Sequence, residues 1–144
     1  MEKILTSKVQ IEFETSAKQL WRVLTESKYT KVYMFNCSVE FDWLEGSSIT
    51  WQGNYQGYQA FQKGKVLTVK PYELIKYSTF DPNVGLSDVT ENYINVTYAI
   101  KEHNGKTTLT ITNDTFDGNE ERMKHIINGW EIVKEQMIKL VNTF

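Results

Sequence analysis

The sequence predicts an α+β fold in which one long C-terminal helix covers an antiparallel sheet. Three patterns predict it: period-two alternation near the N-terminus, a nearly continuous β signal from Ser38 to Asp114, and helical periodicity from about Asn119 to Asn142. A sheet that is apolar on one face needs a cover, and the last segment supplies an apolar stripe of suitable length.

The elements follow in order. In residues 3–13, Val9, Ile11 and Phe13 share one face while Lys8, Gln10 and Glu12 share the other, the mark of a half-buried strand. Thr15-Ser16 ends it, and Ser16-Ala17-Lys18-Gln19 fits a capping box ahead of Ala17, Leu20, Trp21 and Leu24 at helical spacing. A short second helix is expected around Ser27 to Met34. Strand patterns then recur: Ile49 with Trp51, Ile75 with Tyr77 and Thr79, Ile94 with Val96, Tyr98 and Ile100, and Leu109 with Ile111. Asn104-Gly105 between two alternating runs is a strong hairpin signal, because both turn residues need positive φ. Phe61, Leu67 and Val69 share a parity with Lys63 and Lys65, a conflict that a bulge near Gly64 would resolve. Phe80 to Glu91 is the longest irregular stretch. In the last segment Met123, Ile126, Ile127, Trp130, Val133, Met137, Leu140 and Val141 form the apolar stripe, interrupted by Gly129. A glycine there costs about 1 kcal/mol against alanine, and close approach to a strand or a ligand would compensate.

The 144 residues suit a single domain, 1–144, with one core. A net charge of -2 with mixed signs gives no electrostatic footprint for nucleic acid. No apolar run reaches the roughly 20 residues of a membrane helix, and Met1 to Lys8 has no signal-peptide core. With the single Cys37, these features set a cytoplasmic location as the expectation. Cys37 and two histidines 22 positions apart give no zinc spacing, so no metal or cofactor is expected. Gly53-Asn54-Tyr55-Gln56-Gly57 lacks the Gly-Lys-Ser/Thr of a phosphate loop, and Glu120-Glu121 is explained by the positive end of a helix dipole.

Several further pieces fall in a telling order: Tyr33-Met34-Phe35, Asp42-Trp43 with Gly46-Ser47, Trp51 with Gly53, Gly64-Lys65-Val66 with Pro71, and Gly129-Trp130. Together they resemble the Aha-type branch of the START-like (SRPBCC) superfamily, named after an activator of a heat-shock chaperone ATPase, over about Ile11 to Leu140. Asn36 stands where relatives commonly have Gly, and Ser48 where they commonly have Pro. The resemblance implies the helix-grip fold: a curved antiparallel sheet of six to seven strands wrapped around a long C-terminal helix, with two short helices after the first strand. It also implies a cavity between sheet and helix.

Aromatic residues make up 13% of the chain, enough to fill a core or to line such a cavity. The expected lining is Phe35, Trp43, Trp51, Phe61, Tyr77, Phe80, Tyr93, Trp130 and Met137, with plain core packing as the alternative for each. No catalytic set is evident: His103 lies beside a turn, His125 sits at the edge of the apolar stripe, and nothing supplies either with a partner. Non-catalytic binding of an apolar small molecule, lipid-like or aromatic, is therefore the leading expectation. A cyclase, aromatase or hydrolase acting by shaping its substrate, with Tyr77, Tyr93 and His125 as candidates, is the alternative, and a co-chaperone-like partner of a chaperone is another. Homodimerisation through a sheet edge stays open.

Overall fold

The computed structural model describes residues 3–42 and 44–144. The elements run β1 (Leu5–Phe13), α1 (Ala17–Thr25), α2 (Ser27–Tyr33), β2 (Ser38–Phe41), β3 (Ser48–Tyr55), β4 (Tyr58–Lys70), β5 (Leu74–Thr79), β6 (Ile94–His103), β7 (Lys106–Thr115) and α3 (Glu120–Val141). The strands form one curved antiparallel sheet in the order β1-β7-β6-β5-β4-β3-β2. Strands β2 to β7 are thus a meander, and β1 closes onto the free side of β7, with Ile11 opposite Leu109. This is the helix-grip architecture that the patterns and the resemblance predict. Among the described residues no helix is long and apolar enough to cross a membrane.

Local chemistry explains the boundaries. The Ser16 hydroxyl accepts from the Gln19 N–H at 3.1 Å and starts α1. The Asn119 side chain accepts from the Arg122 N–H at 3.0 Å and starts α3. Arg122 then reaches out of the first turn of α3, donating to Asp117 at 2.9 Å and to the Asn92 carbonyl at 2.7 Å, which ties the helix to the loop before β6. Asn104 and Gly105 both have positive φ, 53° and 78°, as the hairpin between β6 and β7 requires. The stretch after Phe80 holds two short 3-10 turns, Pro82–Val84 and Thr90–Asn92.

Two details depart from the sequence patterns. The bulge in β4 lies at Leu67, between Val66 opposite Tyr77 and Thr68 opposite Lys76. Before it the concave face carries Gln62 and Val66; after it the face carries Val69, opposite the buried Ile75. Phe61 and Leu67 therefore belong to the convex side of the strand. Gly64 serves the sheet in another way. A Cβ there would lie 1.7 Å from the Ser78 carbonyl oxygen, so the residue permits close crossing of β4 and β5. On α3, Met123, Val133, Met137 and Val141 are buried, whereas Ile127 is exposed, because the covered stripe passes through Ile126 and Trp130 instead.

Asn36 follows α2 at φ 61°, a conformation that glycine adopts most readily and asparagine tolerates. Its side-chain amide donates to the Asn54 carbonyl at 2.7 Å. Its own carbonyl sits where a Cβ on Gly53 would be, 2.1 Å away, so Asn36 and Gly53 form a tight seam between the helical segment and β3.

The core joins Leu20, Val23 and Leu24 of α1 to Ile11, Val66, Val96, Leu109 and Ile111 of the sheet and to Val133 and Met137 of α3. Through it runs a relay of rings, Trp51 to Tyr77 at 6.0 Å, Tyr77 to Tyr98 at 5.7 Å and Tyr98 to Trp130 at 6.1 Å, linking β3 to α3. The Tyr77 and Tyr98 hydroxyls are hydrogen-bonded at 3.1 Å, and the Tyr33 hydroxyl donates to the Val23 carbonyl at 2.8 Å. Burial pushes all three phenols above their ordinary range, because it penalises the phenolate. Their protons are held more tightly in the folded chain than in the unfolded one. Their stabilising contribution is complete below about pH 10 and is lost as pH rises beyond it. The expected outcome is a urea midpoint that holds up to about pH 10 and falls progressively above it.

Candidate functional site

A cavity of about 360 Å³ lies between the sheet and α3. Its walls come from β3, β4, β6 and β7, the α2–β2 turn, the end of β5 and the face of α3 from His125 to Val133. The volume lies within the range of small-molecule sites, about 300–1,000 Å³. Phe35, Tyr55, Tyr58 and Phe61 surround one side, Trp51 and Val96 lie on the sheet, and Ile126, Gly129 and Trp130 form the helical wall. Phe35 meets Tyr55 edge-on at 5.5 Å and is held at φ 48°, a strained conformation for a bulky residue, found here on the cavity wall. Gly129 removes a side chain from the helical wall, since a Cβ there meets nothing within 4 Å. The glycine widens the cavity; the backbone makes no close approach to a strand.

The polar groups on the wall are few. Thr79 donates to Gln62 at 2.8 Å. Asp81 accepts from the Asn83 N–H at 2.8 Å, capping the turn that follows it. His125 is exposed on the wall contributed by α3. Burial raises the Cys37 thiol above its ordinary range, so it is a poor thiolate source. Trp51 Nε1 and Asn113 Oδ1 are buried without a hydrogen-bond partner. This set can orient a ligand by hydrogen bonds and apolar contact.

The residues proposed from sequence separate spatially. Phe35, Trp51, Phe61 and Trp130 come together on the cavity wall. Tyr77 and Met137 are buried in the core behind it. Phe80 stacks on Tyr93 at 5.1 Å, and Tyr93 faces a second, more open groove on the convex side, where it donates to Asp88 at 2.7 Å beside Lys63. That hydrogen bond, with the neighbouring carboxylate, raises the Tyr93 phenol, while Lys63 and Tyr93 hold Asp88 below its ordinary range. Trp43 lies outside the described residues. Sequence reasoning missed Tyr55, Asn113 and Ile126 as wall residues. Tyr55 continues the phase of Ile49 and Trp51, and Asn113 that of Leu109 and Ile111, so inward parity was the signal available.

Comparison with known proteins agrees with the fold. The profile of the family described as Activator of Hsp90 ATPase homolog 1-like protein matches residues 14–142. No curated protein matches the sequence. Among solved structures, the chain is similar to ChR145 from Cytophaga hutchinsonii, with 29% identity over 99% of this chain and 97% of that one, at a TM-score of 0.82. The Aha1 dimer from Colwellia psychrerythraea shares the fold at 14% identity, covering 95% of this chain and 96% of that one, at a TM-score of 0.73. CalU16 from Micromonospora echinospora shares it at 14% identity, covering 98% and 85%, at a TM-score of 0.73. On its sequence match and its helix-grip architecture, the chain belongs to the Activator of Hsp90 ATPase homolog 1-like family, within the START-like superfamily.

Proposed function

We propose that this protein binds an apolar small molecule, aromatic or lipid-like, in the cavity between sheet and C-terminal helix, without transforming it. The observation that carries the proposal is the bare helical wall at Gly129. A mid-helix glycine costs about 1 kcal/mol against alanine, and here no backbone contact compensates. What the glycine provides is space in a helical wall shared with Trp130, in a cavity also lined by Trp51 and Phe61. The buried free thiol Cys37 suits a reducing compartment and a cytoplasmic carrier.

Native mass spectrometry of freshly purified protein, compared with its denatured mass, tests the proposal. A retained adduct of small-molecule mass is expected. Gly129→Ala should stabilise the helix by about 1 kcal/mol and keep most of the adduct, because the methyl group meets open space. Gly129→Phe should fold and lose the adduct. An adduct unchanged in Gly129→Phe would place the ligand elsewhere and end the proposal.

A further inference from the structure

The cavity wall contains two polar atoms that the folded chain leaves unsatisfied. The Trp51 indole N–H is a donor without an acceptor, and Asn113 Oδ1 is an acceptor without a donor. Both residues are nearly fully buried, at 4% and 2% exposure, and both line the cavity. Buried polar groups are nearly always paired, so two orphans on residues that line one void call for a partner outside the chain. They lie on the concave face of β3 and β7, with Trp51 opposite Gln62 and Asn113 opposite Val96. The Gln62–Thr79 hydrogen bond lies on the same wall between those strands. A ligand lying across the sheet could thus meet polar groups at both ends of its span.

Charge narrows the chemistry further. Among the described residues no lysine or arginine lines the cavity; Asp81 contributes a carboxylate, and the one basic side chain on the wall is the exposed His125. An anionic head group would lose its water there and find no lysine or arginine in return, with only the exposed His125 as a basic neighbour. Indole is a donor only, so the ligand must offer an acceptor at Trp51; the Asn113 carboxamide can accept or donate.

We infer that the site takes an otherwise apolar ligand carrying neutral polar groups, an oxygen acceptor (ketone, amide or hydroxyl) that receives the Trp51 indole N–H and, towards β7, a hydroxyl or amide N–H that donates to Asn113, and that it discriminates against carboxylates and phosphates. This rests on the cavity reading above and specifies the ligand class for that site.

Three naphthalene derivatives test the inference: acetylnaphthalene, its near-isostere isopropylnaphthalene, and naphthoate. Each is titrated at neutral pH into wild type and Trp51→Phe. Trp51→Phe should weaken acetylnaphthalene about ten-fold and leave isopropylnaphthalene within about two-fold, since only the ketone loses a hydrogen bond. Naphthoate should bind wild type at least about ten-fold more weakly than acetylnaphthalene. In wild type, NMR should show the Trp51 indole proton moving downfield with acetylnaphthalene and not with isopropylnaphthalene, a readout that holds even where Trp51→Phe folds poorly. Equal losses for both neutral compounds, an unmoved indole proton, or naphthoate as the tightest binder overturns the inference and leaves the cavity reading standing. Binding of none of the three overturns both.

Discussion

Gly64→Ala is expected to destabilise the protein by about 3 kcal/mol or more, the upper end for overpacking. The added Cβ would sit 1.7 Å from the Ser78 carbonyl oxygen and 2.5 Å from its carbon. Both are backbone atoms in β5, so no flexible side chain can move aside. Relief requires β4 and β5 to part where Lys63 and Phe80 exchange hydrogen bonds of 3.0 and 2.8 Å. The Ser78 hydroxyl, which accepts from the Lys65 N–H at 3.1 Å, would be displaced as well. A urea titration beside Gly129→Ala makes the comparison sharp: the same methyl group should destabilise at one glycine and stabilise at the other. A Gly64→Ala midpoint within error of wild type would falsify the close crossing.

Tyr98→Ala should cost about 3–5 kcal/mol from lost packing, with about 1–3 kcal/mol more for the Tyr77 hydroxyl left buried and unpaired. Tyr98 is 1% exposed, and its ring joins Tyr77 to Trp130. A loss of that size approaches the whole stability of an ordinary domain, about 5–15 kcal/mol, so the variant should be largely unfolded at 37 °C. Tyr98→Phe separates the two terms. It keeps the ring and removes only the hydroxyl, so its cost should be the second term alone, about 1–3 kcal/mol. If Tyr98→Phe proved as damaging as Tyr98→Ala in chemical unfolding, the hydroxyl pair rather than the ring relay would dominate this part of the core.

The sheet and the long helix were legible in the sequence because their signals are periodic. Alternation through Ile94 to Ile100 and Leu109 to Ile111 assigns strands and faces, and recurrence from Met123 to Val141 assigns the helix. The bulge was less legible. Parity along β4 is inconsistent on either side of it, and several single insertions would reconcile the residues; packing of Val66 and Val69 on one side selects Leu67. The cavity was legible only in part. Trp51 and Tyr77 share the inward face, yet one reaches the void and the other lies behind it, because their depth depends on where α3 leaves the sheet. Periodicity reports direction, whereas distance to a diverging helix depends on tertiary geometry. Phe61 borders the void from a strand position that parity assigns to the convex side, which reflects curvature rather than pattern.

The extra residue at Leu67 also bears on how this chain can change length. Removing it would bring Val66 and Thr68 into consecutive register with Tyr77 and Lys76, leaving the pairings on both sides in phase. A deletion elsewhere in β4 would shift one arm of the strand by a residue and turn its inward side chains outward. The deletion at Leu67 would straighten the strand instead, since a bulge bends and twists the sheet that contains it. Indels at this site would therefore act on the radius of the sheet around α3, giving a family of containers of different bore from one hydrogen-bond plan.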